Sequence, residues 1–196
     1  MAYTYYKATT DDGGVIGTQI ASGEVNALFD LLTIAQQSAG MTKDRKMYIE
    51  SDEDITAYIG LKTTGLYDGT IFESSGDAQV VGDLTGSEDK YGCAVITTST
   101  TTTFTFDNTL QSEILFRAGD KLVYDNVLYD ITSVVTDTVT FSPAMSATPT
   151  VGNTITSVFE FALLAGVPKS LWRKNVYPSS VASVSEYNSV DILIKV

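Results

Sequence analysis

The sequence predicts an all-β protein. Threonine supplies 27 of the 196 residues, and Tyr, Phe, Val and Ile are also frequent; these residue types are enriched in pleated, half-buried strands. Pairs that favour turns recur at short intervals, as at Asp68-Gly69 and Asp125-Asn126. Short strands separated by regular turn signals are typical of a sandwich or a barrel. We therefore expect a β-sandwich or a β-barrel.

The first third of the chain contains three predicted strands and one helix candidate. Residues 3–6 are rich in tyrosine and predict the first strand. In residues 22–40, apolar side chains recur at three- and four-residue spacing, which makes this segment the one helix candidate in the sequence. Residues 45–50 and 55–61 predict the next two strands, joined by the acidic turn 51–54. Apolar residues alternate along 55–61, which indicates a strand with one buried face.

The middle of the chain, residues 84–157, has a different character. It contains an uncharged run rich in Thr and Ser at 95–105. Four short strands are predicted after that run, at 114–116, 121–124, 127–131 and 138–141. Asp125-Asn126 is a two-residue hairpin signal between the second and third of them. Residues 118–122 and 150–155 resemble each other, each a small polar turn that leads into a strand, and pairing between them would close a barrel.

The last part of the chain again has the strand patterns seen in the first part. Three further strands are predicted, at 159–163, 170–173 and 190–196. The sequence thus predicts a sandwich built from residues 1–83 and 158–196, with residues 84–157 as an inserted β-barrel-like unit.

Composition argues against several functional classes. The chain has 12 Lys and Arg against 24 Asp and Glu, a net charge of −12 that disfavours binding to nucleic acid or to an anionic membrane. Histidine is absent, which removes the commonest general base and metal ligand. The single cysteine, Cys93, excludes an intramolecular disulfide and a cysteine zinc cluster. We expect a soluble protein made in the cytoplasm, with no secretory signal, catalytic residue, cofactor or metal site.

Several segments of the chain resemble a group of small bacteriophage virion structural proteins. The similar segments are 5–14 with 28–30, 45–49, 164–166 with 169–172 and Pro178, and 189–195. Together they cover about half of the chain, in its two outer parts. The middle segment, 84–157, has no counterpart in that group, and only short phrases in it are similar to inserted β-domains of other phage proteins.

The resemblance implies a β-sandwich that is a structural component of a phage particle. Because the similar segments lie at both ends of the chain, it implies a discontinuous β-sandwich formed by both ends, with a small β-barrel inserted in it. It also implies mixed character for 22–40, with an extended segment at 28–31 and one helical turn at 34–38. Its expected location is the virion, after assembly in the bacterial cytoplasm, and its expected partners are copies of itself and other virion proteins. Small β-units without a long helix favour an accessory of the head surface or of the head–tail neck. A tail or baseplate component is the alternative placement.

Four aromatic residues are candidate interface residues. Tyr3, Tyr5 and Tyr6 make the first strand tyrosine-rich, and this segment is expected to be either a binding arm or an edge strand. Trp172 is the only indole in the chain, and it serves either as an interface residue or, more commonly for so large a ring, as part of the core. If Trp172 is exposed beside acidic residues, a carbohydrate- or receptor-binding module becomes the rival function.

The remaining polar motifs have simpler interpretations. Asp11-Asp12 and the acidic turn 51–54 are expected to be solvated turns, because Asp commonly hydrogen-bonds its own backbone there. Calcium binding at Asp52-Glu53-Asp54 is the alternative for the second cluster, and a hydrolase would need two carboxylates in one cleft. Cys93 is expected to be a small buried hydrophobe. The run 95–105 would favour aggregation on an open edge, so we expect it to be paired or covered.

Overall fold

The computed structural model describes residues 2–10, 13–20, 34–63, 68–73, 84, 88–107, 115–177 and 190–195. The described residues form thirteen strands and one short helix, so the all-β class is confirmed, and two sheets fit a sandwich-like arrangement. The elements are β1 (Tyr3–Thr10), β2 (Gly13–Gln19), α1 (Ile34–Ala39), β3 (Met41–Ser51), β4 (Ile55–Thr63), β5 (Asp68–Phe72), β6 (Cys93–Ser99), β7 (Thr103–Phe106), β8 (Lys121–Tyr124), β9 (Val127–Val135), β10 (Thr138–Ser142), β11 (Thr154–Leu163), β12 (Lys169–Tyr177) and β13 (Val190–Lys195).

The first sheet contains five strands in the order β2-β1-β3-β12-β5. Its longest pairing joins β3 and β12, which run antiparallel from Ile49 opposite Lys169 to Met41 opposite Tyr177. Between β1 and β2 the register is irregular, with shifts on both sides of the pair formed by Ala8 and Ile16. Irregularities of this kind bend and twist a strand at the edge of a sheet.

The second sheet contains eight strands in the order β13-β4-β11-β6-β7-β10-β9-β8. An additional pairing between β11 and β8 joins the last strand back to the third. Strand β11 is therefore shared, with residues 154–156 opposite β6 and residues 156–158 opposite β8. The predicted pairing of 118–122 with 150–155 differs from what is observed: residues 121–123 pair with 156–158, while residues 154 and 155 pair with β6. The β8–β11 contact therefore lies just after the predicted segment. It completes a circuit of six strands, which is the feature a barrel needs, while the inserted barrel itself stays a prediction.

The turn between β8 and β9 follows from its two residues. Asp125 and Asn126 have φ values of 46° and 61°. Two successive positive φ values are what a two-residue hairpin loop of the primed type requires, and Asp and Asn accept this conformation more readily than other residues with a side chain. The sequence signal for this hairpin is confirmed.

An aromatic and aliphatic core fills the inner face of the six-strand circuit. Phe104 lies near its centre, with ring centroids 5.4 Å from Phe116 and 6.1 Å from Phe141. The other buried members are Ala94, Ile96, Leu115, Leu122, Tyr129, Ile131, Val139, Met145 and Ile155. The members that lie on strands occupy alternate positions, so the opposite positions of those strands face outward, while Leu115, Phe116 and Met145 come from segments between strands.

Strand β4 buries the face that its alternation predicted. Ala57, Ile59 and Leu61 are each 0 % exposed. Gly60 lies between the last two, where a Cβ atom would come within 2.7 Å of the carbonyl oxygen of Ser157. The close approach of this backbone to β11 therefore requires glycine.

The chain divides into two compact units. The first contains 1–56, 64–89 and 162–189, and the second contains 57–63, 90–161 and 190–196. The expected insertion, 84–157, lies mostly in the central stretch of the second unit, which also takes in most of β4 and all of β13.

Of the helix candidate at 22–40, the structure describes residues 34–40 and shows the helix α1 over six of them. Residues 22–33 lie outside the described residues. Within the part of the chain that is described, no helix has the length and apolar character needed to cross a membrane.

Candidate interface residues and the acidic turn

The three amino-terminal tyrosines lie on a strand that is paired along one side. Strand β1 pairs with β3 from Tyr3 to Lys7 and with β2 only from Tyr6 onward, where the Ile20 amide also donates to the Tyr5 carbonyl. The segment is therefore not a free arm, and its second side is covered by β2 from about Tyr5 onward. Tyr5 lies opposite Ile49 and Tyr6 opposite Tyr48. Because side chains alternate along a strand, Tyr3 and Tyr5 point to one face of the sheet and Tyr6 to the other. All three rings are half-buried, which leaves part of each accessible.

Hydrogen bonds fix the tyrosines on the Tyr6 face. The Tyr6 hydroxyl donates to Oε2 of Glu50 at 3.0 Å. Its cross-strand neighbour Tyr48 donates to the carbonyl oxygen of Gly14 at 2.8 Å, which ties β3 to β2 across the strand between them. The Tyr48 ring also lies 5.3 Å from Nζ of the buried Lys46. The half-exposed Tyr6 is therefore held in a defined position, as an interface residue should be.

The phenol groups of β1 resist ionisation. Burial raises the pKa of Tyr3, and the nearby carboxylates of Asp52 and Glu53 raise it further. Burial also raises the pKa of Tyr5, with a smaller effect of Tyr3. For Tyr6 the main cause of the raised pKa is the hydrogen bond to Glu50. These hydroxyls are therefore neutral groups that donate or accept hydrogen bonds over the physiological range of pH.

Trp172 lies in the core of the first unit. It is 0 % exposed, opposite Lys46 of β3 on one side and Phe72 of β5 on the other. Phe72 is also buried and packs with it, and Leu84 covers the pair. Its indole Nε1 is buried and has no hydrogen-bond partner among the described residues. The indole therefore lies in the core and is not presented at the surface of this chain. A core position is the role that the large size of the ring favoured.

The acidic turn 51–54 holds backbone groups that are distant in sequence. Oδ1 of Asp52 accepts a hydrogen bond of 2.7 Å from the amide of Ala2. Oδ1 of Asp54 accepts one of 2.7 Å from the amide of Ala165, and the carbonyl oxygen of Ser51 accepts another from Gly166. The turn therefore connects the start of β1 with the turn that precedes β12, and these bonds give two of its carboxylates a structural role.

The alternatives for the acidic residues were a calcium site and a pair of carboxylates in one cleft, and the described part of the chain shows neither arrangement at the turn. No group of three or more His, Cys, Asp or Glu is placed there to hold a metal ion. All three acidic side chains of the turn are exposed rather than gathered in a cleft. The other cluster, Asp11-Asp12, lies outside the described residues.

Cys93 is buried, as predicted, beside a polar contact that the sequence did not signal. Its neighbour Gly92 donates its amide to Oγ of Ser157 at 3.0 Å, and the Ser157 hydroxyl donates to the Gly92 carbonyl at 3.2 Å. Ser157 is 0 % exposed. A buried amide needs such an acceptor, so Ser157 is a structural residue of the second unit.

The Thr- and Ser-rich run does not form an open edge. Strand β6 pairs with β11 and β7, and β7 pairs with β6 and β10. The expectation that the run is paired is confirmed. Its hydroxyls bond to one another on the surface: Oγ1 of Thr105 lies 2.7 Å from that of Thr97 and 2.6 Å from that of Thr98.

The position of the basic residues was not predicted. Half of the twelve Lys and Arg lie on β3 and β12. Three of these are buried, namely Lys43, Lys46 and Arg173, and Lys169 forms an ion pair with Glu73 at 3.0 Å. The density of Lys and Arg in 43–46 and 169–174 was the one sequence signal for this concentration of basic residues. Their burial had no signal, because basic side chains in a strand usually lie on its exposed face.

Comparisons with known proteins found no relative of this chain. No family model matches the chain, and no curated protein or solved structure matches it either.

Proposed function

We propose that the chain is a non-enzymatic structural protein of a bacteriophage particle. In this proposal it is an accessory of the head surface or of the head–tail neck and acts by protein–protein assembly. The observation that supports it most is spatial. Residues 5–14, 45–49 and 169–172, which resemble virion proteins, include parts of β1, β3 and β12, which are adjacent in one sheet. Three of the similar segments therefore belong to one packing unit, whereas the similar segment 189–195 contains β13 of the other sheet.

Assembly requires surfaces that can bind other proteins, and two kinds are present. Tyr3, Tyr5 and Tyr6 are half-exposed on a strand that β3 holds along this whole stretch and that β2 joins from about Tyr5 onward. Tyrosine is enriched in protein interfaces because its ring packs while its hydroxyl bonds. Strands β2, β5 and β13 end the two described sheets, and the backbone of a terminal strand can pair with another chain.

The charge of the chain supports protein partners over other classes. A net charge of −12 repels nucleic acid and anionic lipid alike. In a particle that contains a genome, an acidic protein would avoid non-specific adhesion to it. The proposed partners are thus copies of the chain and other virion proteins.

The rival binding function loses its main support in the structure. A carbohydrate-binding β-module uses exposed aromatic rings as platforms, and the sequence offered Trp172 for that role. Because Trp172 is 0 % exposed, it cannot serve as such a platform in this fold. The tail or baseplate remains the alternative placement within the same proposal, and the experiment below distinguishes it.

The test is to find the chain in purified particles. Mass spectrometry of particles from an infected culture is expected to detect it in a constant ratio to the shell protein, and cryo-electron microscopy is expected to locate it on the head or neck. Density in the tail would correct the placement. Its absence from particles that are otherwise complete would overturn the proposal.

A matched pair of variants tests the tyrosine surface. Particles that lack the chain are mixed with purified Tyr3→Ala/Tyr5→Ala protein or with Tyr58→Ala protein, which alters a half-buried tyrosine on β4 in the other unit. We expect the first variant to lose occupancy and the second to bind like the wild type. Equal binding by all three proteins would exclude Tyr3 and Tyr5 from the interface.

A further inference from the structure

The outer surface of the six-strand circuit carries a continuous patch of hydroxyl groups. We call it the threonine face, and it consists of Thr98, Thr103, Thr105, Ser133, Thr138 and Thr140. The strand registers place these residues side by side: Thr105 lies opposite both Thr98 and Thr138, and Thr140 lies opposite both Thr103 and Ser133.

The threonine face is the reverse side of the aromatic core. Phe104 and Val139, which alternate with its members along β7 and β10, are 1 % and 0 % exposed. Its own members are exposed or half-exposed. Val95 and Val135 lie exposed on the same outer side, at 50 % and 69 %. The patch is thus held by a rigid core and presents methyl and hydroxyl groups together.

The six residues of the threonine face carry no charge in a strongly acidic chain, and charged residues lie only at its margins. Asp130 is the one charged residue in β6, β7, β9 and β10, and it is paired with Nζ of Lys121. Asp107 directly follows β7 and Asp137 directly precedes β10. The chain as a whole carries a net charge of −12. Two copies that approach through most surfaces would therefore repel each other, whereas the threonine face brings no net charge into the contact.

We propose that the threonine face binds the threonine face of a second copy of this chain. Each hydroxyl can donate one hydrogen bond and accept others, so the patch is complementary to itself, as a two-fold contact requires. A saccharide is disfavoured, because no aromatic ring and no free carboxylate lie among the six residues. The inference rests on the proposed assembly function and names the partner of one surface.

The size of the patch sets the expected strength. Four strands spaced about 4.8 Å apart and some four residues long give a patch of roughly 15 by 15 Å. A stable pair of proteins buries about 800 Å² on each partner, so this contact should be weak and reversible. Many copies held on one particle would strengthen it by their high local concentration.

The test is sedimentation velocity of the full chain over a range of concentrations and salt. We expect a larger species that grows with concentration and becomes more abundant at high salt, because salt screens the repulsion between acidic copies. The variant Thr105→Glu/Thr138→Glu should weaken association by about tenfold or more, since it places like charges face to face. The control Thr18→Glu/Thr56→Glu adds the same charge at exposed positions of the other unit and should associate nearly as the wild type does.

A mixing experiment guards against a variant that simply unfolds. Thr105→Lys/Thr138→Lys protein mixed with the Glu variant should restore association above that of either variant alone. A chain that stays monomeric at every concentration, or control and face variants that weaken equally, would overturn this inference. Neither result would remove the chain from purified particles, so the proposed function would be judged separately.

Discussion

The burial of Trp172 gives a prediction that separates a core residue from a binding residue. Its side chain is 0 % exposed and packs against Phe72 between β3 and β5. Replacing a fully buried Trp by Ala removes its transfer free energy and leaves a cavity, which together cost about 3–5 kcal/mol. For a chain of this size 1 kcal/mol shifts the Tm by about 2–4 °C, so Trp172→Ala should lower the Tm by roughly 6–20 °C.

Trp172→Phe is the informative companion. It leaves a smaller cavity, and it removes a buried indole N–H that has no partner among the described residues. An unsatisfied buried donor costs about 1–3 kcal/mol, so its removal offsets part of the lost packing. We expect a loss of only about 0–2 kcal/mol for this variant, well below that of the Ala variant.

Calorimetry measures the two melting temperatures, and fluorescence gives an independent check. Trp172 is the only indole, so the emission of the native chain reports its surroundings alone. We expect blue-shifted emission that acrylamide quenches weakly. A Trp172→Ala variant that melts within about 2 °C of the wild type would refute the reasoning, as would native emission quenched like that of free indole.

Four further predictions concern single contacts. Asp54→Ala should lower the free energy of unfolding by about 1 kcal/mol, because the Ala165 amide loses its acceptor, while Asp54→Asn keeps an acceptor and should cost less; equal losses in urea titrations would argue against this bond. Ser157→Ala should cost about 1–3 kcal/mol, since it leaves the buried Gly92 amide unpaired, whereas the exposed Ser146→Ala should stay within about 0.5 kcal/mol; a neutral Ser157→Ala would contradict the assignment. Gly60→Ala should lower the free energy of unfolding by about 1–3 kcal/mol or more, because the new Cβ would come within 2.7 Å of the Ser157 carbonyl oxygen. Thermal melting measures this loss, and Thr56→Ala, at an exposed position of the same strand, is the control. A Gly60→Ala variant as stable as that control would disprove the close approach. Folding raises the pKa of Tyr5 above 10.0, so the neutral phenol is favoured in the native state. The contribution of Tyr5 to the free energy of unfolding is therefore complete below pH 10.0 and is lost as the pH rises through the folded pKa. The urea midpoint should fall at alkaline pH, and less so in Tyr5→Phe; identical pH profiles for the two proteins would count against the shift.

Local chemistry predicted the elements of this fold well. Alternation predicted the strand at 55–61 and its buried face, and short runs of residues with high β propensity predicted others, such as the strand at 121–124. Asp125-Asn126 predicted a hairpin because two adjacent residues determine that turn. These features depend only on residues that are adjacent in the sequence, so the sequence is sufficient to predict them.

The candidate site was predicted less well, since it depends on what distant segments do. The tyrosines of β1 were expected on an arm or an edge, but β3 pairs with the strand from Tyr3 and β2 joins its other side from about Tyr5 onward. The acidic turn is exposed, as expected, but Asp52 and Asp54 accept hydrogen bonds from the distant amides of Ala2 and Ala165, which was not predicted. No local pattern contains the information that residues 50 and 111 positions apart meet.

The sequence by itself determined the all-β class, the turn chemistry and the acidic charge, because propensity, φ preference and ionisation belong to single residues and their neighbours. Tertiary structure decided which strands became neighbours, and with that the burial of Trp172 and the gathering of hydroxyls on the threonine face. Thr98, Thr105 and Thr138 share one row only because β6, β7 and β10 pair in a given register. Register is set by the whole core, since a slip of one residue would turn Phe104 outward and the threonines inward.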